Sequence, residues 1–149
     1  MTEEQVTKTV LNALIKDEWK IIAFDFPQSG SGKMLHPNEN ISEKNKGGIV
    51  PDIVAVKEGL CLFFENKDRF VLDDFHKVAA FINENQYSNS ISALLSDYHI
   101  DKILYGVAFP SNKWSNKSKL NASLVDFIIG VTTCGSIEFL HNPHGLVLF

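Results

Sequence analysis

Asp52, Glu65 and Lys67 are the residues of this chain whose types and spacing could do chemistry. Side chains alternate across a strand, so Glu65 and Lys67, two apart, leave one face together. Two runs rich in β-forming residues, Ile49 to Val56 and Leu60 to Lys67, flank the turn Lys57-Glu58-Gly59 and predict a short hairpin. In that hairpin Asp52 and Glu65 fall nearly opposite, on strands about 5 Å apart. Two carboxylates that close repel each other and raise one pKa unless a cation lies between them. Hard divalent ions such as Mg²⁺ take carboxylate and carbonyl oxygens. A neighbouring lysine can orient a water and stabilise negative charge at a phosphate. The chemistry suggested is metal-dependent phosphodiester hydrolysis.

The elements that must position these residues are legible around them. Residues 2–18 predict a helix, with Thr2 as cap, Glu3 and Glu4 at its positive end, and Val6, Val10, Leu11, Ala13, Leu14 and Ile15 as a broad apolar face. Trp19 to Phe26 predicts a strand, and 27–48 a long polar loop, a length that is usually functional or mobile. After the hairpin come an amphipathic helix over 72–85, a shorter helix from Ser90 to Tyr98 and a strand from Ile103 to Phe109. Pro110 to Asn121 reads as a second polar loop, and Leu124 to Val131 with Ile137 to Leu140 as a terminal strand pair. The order predicts one α/β (α+β) domain over 1–149, a central mixed sheet flanked by helices.

Pro51-Asp52, followed on the next strand by Glu65-Asn66-Lys67, resembles the PD-(D/E)XK nuclease superfamily, the restriction-endonuclease-like fold. The likeness covers roughly residues 2–70 and the α-β-β-β-α order. In detail the chain looks most like archaeal Holliday-junction resolvases and small type II restriction endonucleases. Those begin with a glutamate-bearing helix, continue into a strand and a Ser-Gly loop, and then present the Pro-Asp and Glu-x-Lys strands. Here the helix carries Glu3 and Glu4, the strand ends at Phe26, and the loop holds Ser29-Gly30-Ser31-Gly32. The loop before Pro51 is longer than in the compact resolvases. Gln86 is followed directly by Tyr87, so the QxxxY pattern of RecB-like nucleases is absent.

The resemblance implies that Asp52 and Glu65 coordinate Mg²⁺, with Mn²⁺ able to substitute, and that the Asn66 carbonyl is a further ligand. Lys67 would position or activate the attacking water. A helix glutamate would complete the acidic cluster. Glu3, seven residues before Val10, points inward and is favoured; Glu4, seven before Leu11, lies at the rim and stays the alternative. The implied activity is an endodeoxyribonuclease acting on duplex or branched DNA, leaving 5′-phosphate and 3′-hydroxyl ends, as a homodimer.

Other signals are weighed against plainer readings. Gly30-Ser31-Gly32-Lys33 is no P-loop, since Met34 replaces the Ser/Thr and Pro27 the first Gly. Ser29, Ser31 and Lys33 could instead close on a phosphate backbone, or simply form a flexible loop. Lys113-Trp114-Ser115-Asn116-Lys117-Ser118-Lys119 sits in a stretch free of Asp and Glu. Its plain reading is a solvated loop. Its functional reading is DNA contact, with Lys113, Lys117 and Lys119 on phosphates and Trp114 stacking. Lys44 and Lys46 offer the same from the first loop, diluted by Glu39 and Glu43. His141 and His144, three apart without a Cys partner, are a poor zinc site. His76 reads as a surface helix position, and Asp73 and Asp74 as residues serving the first turn of their helix. Asp25 could support the site from behind. Glu18-Trp19-Lys20 repeats Glu-x-Lys, but without an upstream Pro-Asp.

Composition constrains less than these motifs do. The chain has 149 residues, 44% of them hydrophobic and 21% charged, which suits one globular domain. A net charge of −4 argues against a generally basic nucleic-acid wrapper but leaves room for a local basic face. Cys61 and Cys134, without motif spacing, predict reduced thiols and a cytoplasmic protein. Neither a signal peptide nor a membrane span is expected. The competing function is a non-cutting DNA-binding or assembly module that keeps the fold; intact Asp52, Glu65 and Lys67 favour the enzyme.

Overall fold

The computed structural model describes residues 1–25, 35, 38 and 49–148. Helix α1 (Glu3–Lys16) starts at a reciprocal cap, in which Gln5 N–H donates to Thr2 Oγ1 (3.1 Å) and Thr2 N–H to Gln5 Oε1 (2.7 Å). Strand β1 (Lys20–Phe24) follows, then β2 (Ile53–Lys57) and β3 (Leu60–Asn66), joined by a tight turn. Glu58 and Gly59 both have positive φ there, 49° and 80°, the twist that a two-residue hairpin needs. Helices α2 (Leu72–Glu84) and α3 (Ser88–Leu94) lead to β4 (Lys102–Pro110). A 3₁₀ turn (Ser111–Lys113), helix α4 (Asn116–Leu120) and a second 3₁₀ turn (Ala122–Leu124) precede β5 (Ile128–Val131) and β6 (Ile137–His141).

The six strands form one sheet in chain order. β1, β2 and β3 pair antiparallel, β4 pairs parallel with β3 and with β5, and β6 closes antiparallel on β5. The expected α/β class, a central mixed sheet flanked by helices, is therefore what the chain forms. Val6, Val10, Leu11 and Leu14 of α1 pack on Ile53, Ala55, Leu62, Phe64 and Leu104 on one face. Phe75, Val78 and Phe81 of α2 pack on Val54, Cys61, Phe63, Tyr105 and Val107 on the other. This double covering explains why Leu60 to Phe64 reads as an unbroken apolar run rather than an alternating one. Phe63 meets the edges of Phe81 and Tyr105, each at 5.6 Å between ring centroids; such pairs add about 0.5–1.5 kcal/mol beyond burial.

Three sequence expectations are corrected. The 110–121 segment is not simply a loop. Ser115 and Ser118 cap α4 reciprocally, a local signal masked by the lysine-rich composition. Ladder pairing starts at Ile53 rather than Ile49, which bridges Leu35 instead. The strand read from Leu124 begins only at Ile128. Before it, the Asp126 carboxylate accepts the Tyr105 N–H (2.9 Å), the role a strand carbonyl would otherwise fill. Apart from Leu35 and Asn38, the long loop expected over 27–48, with Ser29, Ser31, Lys33, Lys44 and Lys46, lies outside the described residues, as does Phe26. Among the described residues no helix is long and apolar enough to cross a membrane.

Gly106 sits where the β4 backbone meets the Phe127 ring and carbonyl, and a Cβ there would collide with both. Gly106→Ala should therefore cost about 1–3 kcal/mol, read as a lower urea midpoint at unchanged slope. An unchanged midpoint would show that Phe127 yields freely.

Candidate active site

The hairpin register sets the geometry. Ile53 faces Phe64, which puts Asp52 opposite Glu65 one step further on. Asp52 is held on three sides through backbone groups. Its N–H donates to Phe64 O (2.9 Å), its carbonyl accepts the Asp25 N–H (2.8 Å), and its Oδ2 accepts the Asn66 N–H (2.6 Å). Glu65 points towards α2 and is 6% exposed. Its Oε1 lies 3.3 Å from Lys77 Nζ, while Oε2 is buried with no hydrogen-bond partner. Lys67 Nζ lies 3.9 Å from Glu3 Oε2. Glu4 turns outward to Lys8 (2.9 Å), so Glu3 is the helix acid that reaches this place.

The Asn66 side chain points the other way, into the α1 layer. It is fully buried and its Nδ2 donates to Thr7 Oγ1 (3.1 Å). This pairing explains a polar residue in the middle of the motif. In a strand one residue's N–H and C=O leave along the same edge, so the Asn66 carbonyl shares the Asp52 edge with its N–H.

Electrostatics mark the cluster. Burial, then the Glu65 and Glu3 charges, push Asp52 up to about 8, although the Asn66 N–H and Lys67 pull the other way. Burial also raises Glu65, with Asp74 adding to it and Lys77 opposing. Burial works against the Lys67 charge, but Asp74, Glu3, Glu65 and Asp52 together outweigh it and raise its pKa. Lys67 is thus an ammonium among four carboxylates, suited to holding a water or a phosphate oxygen rather than to removing a proton unaided.

The chemistry of these groups suits a divalent cation. The donors are hard oxygens, one is buried without a partner, and the acids repel each other without a cation. As they stand, no three His, Cys, Asp or Glu side chains among the described residues are grouped closely enough to hold a metal ion. The candidate ligands are Asp52, Glu65, the Asn66 carbonyl and Glu3.

Asp74, Lys77 and Thr7 were not anticipated as site residues. Asp74 and Lys77 are three apart, a helical spacing that puts two charges on one face of α2. Thr7 falls in the apolar stripe of α1, four residues after Glu3, and that intrusion was its signal. His76 is exposed. Asp25 supports the site through its backbone N–H. Lys113, Lys117 and Lys119 are exposed on the segment that leaves β4 just past the site. The half-buried Trp114 ring lies parallel to Phe109, 21° off and 6.5 Å between centroids. His144 meets Asp126 (3.4 Å) and Lys102 (3.1 Å), an arrangement separate from the acid cluster.

No protein-family model matches the chain, and no curated protein matches it. Among solved structures the chain is similar to an XisH family protein from Nostoc punctiforme, at 18% identity and a TM-score of 0.43, over 91% of this chain and 98% of that one.

Asp52 yields a pH prediction. Between its unfolded value near 4 and about 8 it is protonated in the fold and ionised in the unfolded chain. The unfolded chain then binds fewer protons, so metal-free stability falls as pH rises through that window. Asp52→Asn should flatten this fall by on the order of a few kcal/mol, measured by urea unfolding in EDTA at pH 5 and pH 8. Equal slopes in both proteins would refute it.

Proposed function

We propose that the chain is a Mg²⁺-dependent endodeoxyribonuclease of the PD-(D/E)XK class. The observation that carries this reading is the meeting of Asp52, Glu65, Lys67 and Glu3 at one end of the hairpin, on desolvated carboxylates that call for a cation. Asp52, Glu65 and the Asn66 carbonyl would hold the ion, and Glu3 would complete the acidic set. The ion would polarise the phosphate and ease deprotonation of a bound water. Lys67 would orient that water and offset charge on the phosphate. Glu3 would steer Lys67. Duplex or branched DNA is the proposed substrate, and cutting two strands is most simply done by a two-fold homodimer.

A second reading, a DNA-binding module that does not cut, draws on the Lys77–Glu65 pair, which satisfies half of Glu65 without metal. Cleavage decides between the two. Plasmid and four-way-junction DNA should be cut with Mg²⁺ or Mn²⁺ and not in EDTA. Asp52→Ala and Lys67→Ala should each slow cutting by about 100-fold or more. Intact DNA with the unaltered protein, or equal cutting by both variants, would end the nuclease reading.

Duplex binding in EDTA, followed by fluorescence anisotropy against salt, addresses the lysines. If Lys113, Lys117 and Lys119 touch phosphates, their combined change to alanine should lower the log–log salt slope by about 2–3. An unchanged slope would return them to a solvated helix.

A further inference from the structure

Beneath Lys67 lies a crevice with an open volume of about 10 Å³, lined by Glu65, Lys67, Arg69 and Asp74 and closed by Val107 and Phe109. That is on the order of one water molecule or one small ion. Two carboxylate oxygens near it, Glu65 Oε2 and Asp74 Oδ2, are buried and without any hydrogen-bond partner. Buried acceptors are almost always satisfied, and Glu65 is nine-tenths buried.

Asp74 faces the Lys67 charge, but no hydrogen bond takes up its Oδ2. Val71, at the cap of α2, has no side chain able to accept from the first turn, so an acid there would be expected to turn back to it. Asp73 is exposed, whereas Asp74 Oδ2 is withdrawn and unpaired. Arg69, the other cation on the crevice wall, is paired with Asp68 (2.9 Å). Lys77 satisfies only Oε1 of Glu65. Glu65 and Asp74 both line this crevice and each carries one partnerless oxygen, the type of donor that a hard divalent ion takes.

We propose that Asp74 is a further acid of the cation site, so that the ion draws an oxygen from α2 as well as from the hairpin. This rests on the metal-dependent reading above and extends it to a residue outside the Pro-Asp and Glu-x-Lys strands. It also gives Lys77 a role: its ammonium neutralises Glu65 when no ion is bound. The site would then join two layers of the fold, and ion binding would pin the start of α2 to the end of β3.

The test is Mn²⁺ binding to the whole chain, followed by electron paramagnetic resonance of free Mn²⁺, with no DNA and no turnover. Asp74→Asn should weaken binding by roughly 10-fold or more, the loss found even for partners of metal ligands. Asp74→Glu should restore much of it, and Asp73→Asn should leave it unchanged. Thermal unfolding in EDTA checks the fold: Asp74→Asn should keep a single cooperative transition. Its stabilisation by Mn²⁺ should shrink in step with affinity. Equal Mn²⁺ binding by Asp74→Asn and the unaltered chain would overturn the proposal while leaving the metal reading standing. No Mn²⁺ binding by the unaltered chain would overturn both.

Discussion

Like charges held together out of water are the constraint on which this structure turns. Asp52, Glu65, Glu3 and Asp74 surround Lys67, and burial raises the pKa of both Asp52 and Glu65. Left to themselves such acids would separate into solvent. Backbone groups hold Asp52, and the Lys77 and Lys67 ammonium groups meet Glu65 and Glu3. Asp52 is fixed by Asn66, Phe64 and Asp25. Asn66 is in turn anchored to α1 by Thr7. The sheet below is apolar on both faces and cannot shift to relieve the repulsion. A rigid apolar base supporting acids with unmet oxygens is a place that favours added positive charge.

Strand direction decides what surrounds that place. β1, β3, β4 and β5 run the same way, and β2 runs against them. The ends of β1 and β3, the start of β2 and the first turn of α1 therefore meet at one end of the sheet. The segment following β4 leaves from there too, carrying Lys113, Lys117 and Lys119. A net charge of −4 consequently says little about this end of the molecule. Acids gather at the centre and lysines stand on the outgoing segment, a distribution that a single sum conceals.

The hairpin was the most legible part of the chain. Lys57-Glu58-Gly59 defines the turn, and counting outward from it places Asp52 against Glu65, as the ladder does. Helix α1 was equally plain, because Thr2 and the apolar stripe are local signals. Glu3 over Glu4 followed from helical angle; in the fold Glu4 pairs with Lys8, while Glu3 lies beside Lys67. Less legible were features that depend on partners far along the chain. Asp126 ended a strand early by reaching Tyr105. A local signal was also missed, since Ser115 and Ser118 cap a short helix inside a segment whose lysines read as a loop.

The amino-acid order alone determined the pattern of alternation, the turn and the helix cap, since these depend on neighbours within a few residues. It thereby put Asp52, Glu65 and Lys67 at one end of one hairpin. Only the tertiary structure decided that Asp74 and Lys77 close over them, that Asn66 turns away to Thr7, and that Glu65 loses its water. Those outcomes depend on how α1 and α2 dock on opposite faces of the sheet. Docking is settled by the summed burial of many apolar side chains, and no local spacing records it.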